Sequence, residues 1–132
     1  AMPEEYGGAG LGVTEAALMM AAIAGSGGAM AAASSVHMNI FGPHAIVKHG
    51  SEDQKARWLP GLIDGTYKMC FAVTEPDAGL DTTRIKTRAE RDGDDYIVHG
   101  QKIWTSTAQV AEKVMLLARP GPKVVQHSTQ LQ

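Results

Sequence analysis

Two segments of the chain carry side chains suited to binding a polar, planar small molecule. The first, residues 71–81 (FAVTEPDAGLD), ends an apolar stretch at Thr74 and continues into an acidic turn that contains Pro76 and Gly79. A hydroxyl followed by a turn with several free backbone amides offers hydrogen bonds to a diphosphate or to the polar edge of a ring. An ordinary connection between two strands would have the same composition, and from these residues alone that alternative stays open.

The second segment, residues 102–106 (KIWTS), places an indole and two hydroxyls close together. Trp104 can stack on a planar ring, although a tryptophan in a strand often belongs to the hydrophobic core. If residues 103–106 form a strand, Ser106 points to the same side as Trp104, because side chains alternate along a strand. The pair then predicts a stacking surface with a hydroxyl beside it.

Other patterns that carry chemistry are weaker. The glycines of residues 7–12 (GGAGLG) do not match the G-x-G-x-x-G pattern and follow no strand, which excludes a Rossmann fingerprint. His37, His44 and His49 lack the spacing of a helical metal pair, and one cysteine gives no zinc set, so we predict no metal site. We assign no catalytic residue, because no pattern places a carboxylate at a reacting atom.

Composition and charge exclude several classes of protein. The 132 residues are 44% hydrophobic and 20% charged, which is typical of one globular domain. A net charge of −2, with lysines and arginines scattered, argues against a nucleic-acid surface. The single cysteine, Cys70, predicts a buried reduced thiol and a cytoplasmic location. The most apolar run, residues 16–24, is too short to span a bilayer, so we predict no membrane span.

The first half of the chain predicts helices. Thr14 can cap a first helix that ends at residues 26–28, and a second is expected over 29–41 with a short continuation to His49 after Gly42-Pro43. Ser51 and Gln54 form a capping box for a third helix, which Pro60 would break or kink. Helical spacing gives the first two helices one apolar face each and turns one face of the third inward. These faces are made of Leu18, Met19, Ala22 and Ile23, then Met30, Ala33, Val36 and Ile40, and, facing inward, Trp58, Leu59 and Leu62.

The second half predicts strands. We expect one strand over 68–74, a hairpin over 85–98 that turns at Asp92-Gly93-Asp94, and further strands over 103–106 and 114–118. The fold class is therefore expected to be α+β, with helices followed by an antiparallel β-unit.

Taken together, these segments resemble the acyl-CoA dehydrogenase family. The motifs lie in the family's order and at its spacing over roughly residues 2–119: Tyr6-Gly7-Gly8, 50–55 (GSEDQK), Leu59-Pro60, 71–81, 92–94 (DGD), 100–104 (GQKIW) and 117–119 (LAR). The resemblance implies a partial N-terminal helical segment over 2–63 and part of the middle β-domain over 64–119. Residues 120–132 have no periodicity and are expected to be a disordered tail.

The resemblance also implies FAD as cofactor and a set of residues around it. Thr74 would lie at the pyrimidine edge of the flavin, and the Ser106 hydroxyl would lie near N5. Leu80 would also contact the acyl-CoA substrate, but it stands where the family usually has serine, so the hydroxyl of that serine is absent here. The cofactor-binding residues implied by position are Phe71, Val73, Thr74, Gly79, Leu80, Trp104, Thr105 and Ser106.

The resemblance implies α,β-dehydrogenation of an acyl-CoA thioester, with electrons passed to an electron-transfer flavoprotein. The family's catalytic base lies in a C-terminal helical domain that cannot fit in this sequence, so the chain is expected to be a truncated form that is inactive alone. A rival interpretation is a non-catalytic remnant of the flavin-binding β-module that buries an exposed apolar surface by self-association. Either interpretation predicts a homo-oligomer.

Overall fold

The chain folds as an α+β protein in a computed structural model that describes residues 2–121. Three helices come first and five short strands follow, which confirms the predicted fold class. The elements are α1 (Val13–Ile23), α2 (Ala29–His49), α3 (Glu52–Ile63), β1 (Met69–Ala72), β2 (Arg88–Asp92), β3 (Asp95–His99), β4 (Lys113–Leu116) and β5 (Arg119–Pro120). From residue 122 onwards, the predicted tail lies outside the described residues.

The strands pair in two small sheets, and the pairing is mixed. The β2–β3 hairpin is antiparallel and turns at Gly93, whose φ of 65° suits glycine, so the predicted hairpin is confirmed. β1 pairs with β4 in parallel, with Met69 opposite Lys113, and β5 also runs parallel to β2. The prediction of an antiparallel unit is therefore wrong for these two pairings. The long segment between β1 and β4 returns the chain in the same direction, which a tight turn cannot do.

The hydrophobic core lies where α2 and α3 pack on the β1–β4 pair. Its buried members are Ile46, Trp58, Leu59, Leu62, Met69 and Met115. The three residues predicted to face inward from α3 are among them. Cys70 is also fully buried, as predicted. α2 approaches β1 closely at Gly42, where an added Cβ would lie 3.3 Å from the Met69 sulfur.

The start of α3 has the capping box predicted from the sequence. The Ser51 hydroxyl accepts from the Gln54 amide at 3.2 Å, and the Gln54 side chain accepts from the Ser51 amide at 2.9 Å. Pro60, however, does not end the helix, which continues to Ile63. The last turn stays helical because it places Leu62 in the core, and this packing outweighs the one hydrogen bond that proline removes.

α1 and α2 differ from the prediction at two points, the first N-cap and Pro43. α1 begins at Val13 with Gly12 as its N-cap, because the Glu15 carboxylate accepts from the Gly12 amide at 2.8 Å and makes a Thr14 cap unnecessary. The helix stop predicted at the glycines is confirmed, because α1 ends at Ile23 and Gly27, with a φ of 100°, kinks the short turn Ala24–Gly28 that leads to α2. α2 then runs without interruption through Pro43, which is buried.

Much of the apolar surface of α1 and α2 is uncovered in the described part of the chain. Leu18 is 65% exposed and Met30 is 75% exposed, so the apolar faces predicted for these helices are not covered at either position. Helical spacing identifies an apolar face but not whether a neighbouring element covers it. We call the exposed set the α1–α2 apolar surface: Leu11, Val13, Leu18, Met19, Met30 and Phe41.

The joined helical stretch Val13–His49 is 37 residues long, with a mean hydropathy of 1.6 over its most apolar window. By length and composition alone it is able to cross a membrane. The prediction of no span stays a prediction, because the kink at Gly27 divides this stretch into α1 and α2. Helices of soluble proteins meet the same criteria, so the feature does not assign these helices to a bilayer.

Candidate cofactor site

β1 and the residue after it form the first side of the candidate site. Phe71 presents its ring at the surface, whereas Val73 and Thr74 are half-buried just beyond the end of the strand. The Leu117 amide donates to the Ala72 carbonyl at 3.0 Å, so β1 is held in the sheet up to its last residue. Thr74 therefore projects from the end of a well-anchored strand.

The acidic loop after Thr74 is closed by a small turn. Glu75 and Ala78 exchange two backbone hydrogen bonds, at 3.0 and 3.1 Å. Gly79 and Leu80 follow at the exposed tip, and the Leu80 side chain is fully exposed. Within the described residues, the amides of Gly79 and Leu80 have no hydrogen-bond partner, so both are free to donate to a ligand.

Glu75 is the anchor of this loop. Its buried carboxylate accepts from the Lys86 amide at 2.5 Å, from the Thr87 amide at 2.8 Å and from the Lys102 ammonium at 2.9 Å. Desolvation alone would raise its pKa, but the hydrogen bonds from Thr87, Lys86 and Lys102 outweigh it and lower the pKa of Glu75 to about 2. The carboxylate is therefore ionised and fully engaged at neutral pH.

Lys102 joins the two segments that the sequence singled out. Its ammonium donates to the Val73 carbonyl and to Glu75, both at 2.9 Å. The next amide, that of Ile103, donates to the Thr74 carbonyl at 2.9 Å. Residues 102–104 are consequently held beside the end of β1, and Thr74 and Trp104 belong to one region of the surface.

Trp104 differs in backbone conformation from the prediction. Residues 101–105 form no strand, a turn begins at Ser106, and the φ of Trp104 is 58°, in the left-handed region. The alternation that placed Ser106 and Trp104 on one side therefore fails. Trp104 is 86% exposed, Ser106 is exposed and Thr105 is half-buried. A non-glycine residue with positive φ is uncommon and is often found where function requires it.

Sequence reasoning did not identify Lys102 as part of the site. A lysine is usually an exposed charge, so its residue type did not point to a buried contact. Its partner Glu75 lies 27 positions away, and no sequence pattern connects the two residues. The available signal was the presence of both residues in motifs already singled out, next to Thr74 and Trp104. Within residues 2–121, no group of three or more metal-binding side chains is close enough to hold a metal ion.

Comparison with protein families gives two matches along the chain. The model described as "Acyl-CoA dehydrogenase, N-terminal domain" matches residues 1–66, and the "Acyl-CoA dehydrogenase, middle domain" matches residues 70–131. Acyl-CoA dehydrogenase FadE12 of Mycobacterium tuberculosis is 44% identical over 121 residues, which cover 89% of this chain and 30% of that protein. Mitochondrial isovaleryl-CoA dehydrogenase of Bos taurus is 38% identical over 89% of this chain and 27% of its own length.

Solved structures show the same likeness in three dimensions. A glutaryl-CoA dehydrogenase from Mycobacterium smegmatis, in complex with FADH2, superposes with a TM-score of 0.75 and 36% identity. The match covers 88% of this chain and 30% of that one. The chain thus spans less than a third of the length of these relatives.

Proposed function

Because the chain belongs to the acyl-CoA dehydrogenase family, we propose that it binds FAD and serves the oxidation of an acyl-CoA between its α and β carbons. The observation that carries this proposal is the exposed indole of Trp104, held beside Thr74 at the end of β1. An uncovered indole leaves a large apolar area in water, and a stacked planar ring would cover it.

The residues at this surface fit a flavin. Phe71 and Trp104 offer exposed aromatic surface for a ring, and Thr74 offers a hydroxyl just beyond the end of β1. The free amides of Gly79 and Leu80 offer donors for negatively charged oxygen atoms. Apolar surface combined with a few fixed polar groups is the usual composition of a cofactor site.

FAD, when bound, supplies the acceptor for the hydride that leaves the acyl β-carbon. The chain's own residues orient the reaction: Trp104 packs on the ring, Thr74 hydrogen-bonds its edge, and Leu80 contacts the acyl-CoA from the exposed loop. We assign no base to the described residues. Glu75 is excluded because every polar contact of its carboxylate is with the protein and its pKa of about 2 is far too low for proton abstraction at neutral pH.

The proposed substrate is an acyl-CoA thioester, and the acyl group is left open because the relatives are named for different ones, isovaleryl and glutaryl. We also propose an electron-transfer flavoprotein as electron acceptor, on the strength of the family resemblance. A cytoplasmic location is supported by the buried reduced thiol of Cys70. Reoxidation of the reduced protein by that acceptor, followed by absorbance, would test the electron transfer.

The α1–α2 apolar surface supports a second candidate, a non-catalytic module that self-associates. Six large apolar side chains are exposed on α1, on α2 and on the loop before α1, and exposed apolar area of this kind is found at protein interfaces. This candidate predicts a colourless oligomer whose association state is unaffected by added FAD.

The experiment that tests both candidates is the visible absorbance of the purified chain before and after incubation with FAD and dialysis. We expect retained flavin absorbance, lost in Trp104→Ala and kept in the control Leu18→Ala, which removes an exposed apolar side chain from α1. No retained flavin in the unchanged protein would contradict the first candidate, and flavin-linked oxidation of an acyl-CoA would contradict the second.

A further inference from the structure

The ion pair between Glu75 and Lys102 is buried, unlike the exposed ion pair on the same loop. Its side chains are 5% and 9% exposed, whereas those of Lys86 and Asp77, on the same loop, are 75% and 70% exposed. A buried ion pair is a poor source of stability, because the desolvation of two charges offsets most of their attraction. A buried ion pair therefore indicates a role other than stability. The best-attested role is to fix one local geometry of the chain.

The contacts of Lys102 show which geometry is specified. Its ammonium donates to the Val73 carbonyl and to the Glu75 carboxylate, on either side of Thr74. The Thr74 carbonyl itself accepts from the amide of Ile103, the next residue after Lys102. Three consecutive residues of one segment are therefore tied to two consecutive residues of the other.

The same contacts set the position of Trp104. It follows Ile103 directly, and its left-handed φ turns the indole away from any strand pairing and into solvent. A shift of the 102–104 segment by one residue would move both the indole and the Ile103 hydrogen bond relative to Thr74. The ion pair resists such a shift because it would leave two buried charges unpaired.

We propose that Glu75 and Lys102 are positioning residues that hold Thr74 and Trp104 in one register for the flavin. This inference rests on the proposed function, since the register matters only if a flavin binds there. Neither side chain contacts the ring in this role. Lys102 acts through Thr74 and Trp104, and Glu75 acts through Lys102 and through the amides of Lys86 and Thr87.

The test compares FAD binding by the unchanged protein with binding by Lys102→Met and by the control Lys86→Met. We expect Lys102→Met to bind FAD at least about tenfold more weakly and to change the visible spectrum of the bound flavin, because misplacement of orienting groups is costly. Lys86→Met breaks the exposed pair on the same loop and is expected to bind normally. Hydrogen exchange at the Ile103 amide should quicken in Lys102→Met, while that of Lys55 in α3 should not.

A second variant protects the test against simple unfolding. Glu75→Gln combined with Lys102→Met removes both charges together, so it avoids the unpaired buried charge that destabilises a single variant. This double variant is expected to fold and still to bind FAD weakly.

Each outcome is decisive. Unchanged FAD affinity and flavin spectrum in Lys102→Met or in the folded double variant would overturn the positioning role alone. Absence of FAD binding by the unchanged protein would overturn the proposed function together with it.

Discussion

At the scale of single residues, the site depends on backbone angles and long-range contacts that residue types do not reveal. The aromatic and hydroxyl residues around Thr74 and Trp104 were predictable from their types and their neighbours in the sequence. The left-handed φ of Trp104 was not, because tryptophan has no preference for that region and only its surroundings impose it. The Glu75–Lys102 pair was equally hidden, since its two members are joined only by folding.

Leu80 offers a prediction about cofactor affinity. Its side chain is fully exposed at the tip of the loop, beside two free backbone amides. Leu80→Ser adds a hydroxyl there, and we expect FAD to bind severalfold more tightly, since one hydrogen bond contributes about 1 kcal/mol. Fluorescence titration of FAD measures this change. The control Leu11→Ser alters an exposed leucine in the N-terminal loop and should have no effect, and an equal affinity for both variants would contradict the prediction.

Glu75 predicts a specific dependence of stability on pH. Its folded-state pKa of about 2 lies below the ordinary value of 4.5, so its contribution is complete above the ordinary pKa and is lost as the pH falls towards 2. Urea unfolding between about pH 6 and pH 2 should show the free energy of unfolding falling in this window. In Glu75→Gln that part of the slope should be missing. Asp77→Asn, which changes an exposed carboxylate, should keep it.

At the scale of elements, the sequence predicted best where one local interaction decides a boundary. The capping box at Ser51 and the turn at Gly93 each depend on residues a few positions apart, and both are present as expected. The interruption expected at Pro43 was wrong, because α2 continues through this proline and buries it. The parallel pairing of β1 and β4 depends on residues far apart in sequence, which no local pattern encodes.

The capping box of α3 gives a prediction for stability. Ser51→Ala removes the acceptor of the Gln54 amide, and we expect the free energy of unfolding to fall by about 1 kcal/mol. The control is Ser35→Ala within α2, whose hydroxyl only donates to the Ala32 carbonyl of its own helix. Chemical denaturation of both variants measures the difference, and equal losses would show that capping is not the cause.

At the scale of the whole molecule, the core is small and both α1 and α2 leave large apolar side chains uncovered in the described residues. The buried cluster lies between α2, α3 and the β1–β4 pair, while the α1–α2 apolar surface is open to water in the described residues. Apolar area left in water favours association by about 25 cal/mol for each Å² that is later buried. The fold therefore predicts that this surface is covered by other protein.

Sedimentation velocity over a range of concentrations tests this prediction. We expect the unchanged protein to self-associate, and the double variant Leu18→Lys/Met30→Lys to shift towards the monomer because it places charges on the apolar surface. The control Leu80→Lys changes an exposed leucine on the β side of the molecule and should associate like the unchanged protein. A monomer at every concentration would contradict the prediction.

The parallel pairing of β1 with β4 has a consequence for the order of events during synthesis. The Lys68 amide donates to the Glu112 carboxylate across a separation of 44 residues. The segment between them contains the loop after Thr74, the β2–β3 hairpin and Trp104. Closing a loop of this length costs chain entropy that only the finished strand pair repays. While the ribosome still holds β4, the hairpin can form from neighbouring residues, but β1 has no partner. β1 therefore gains its strand partner late, after residue 116 has left the exit tunnel.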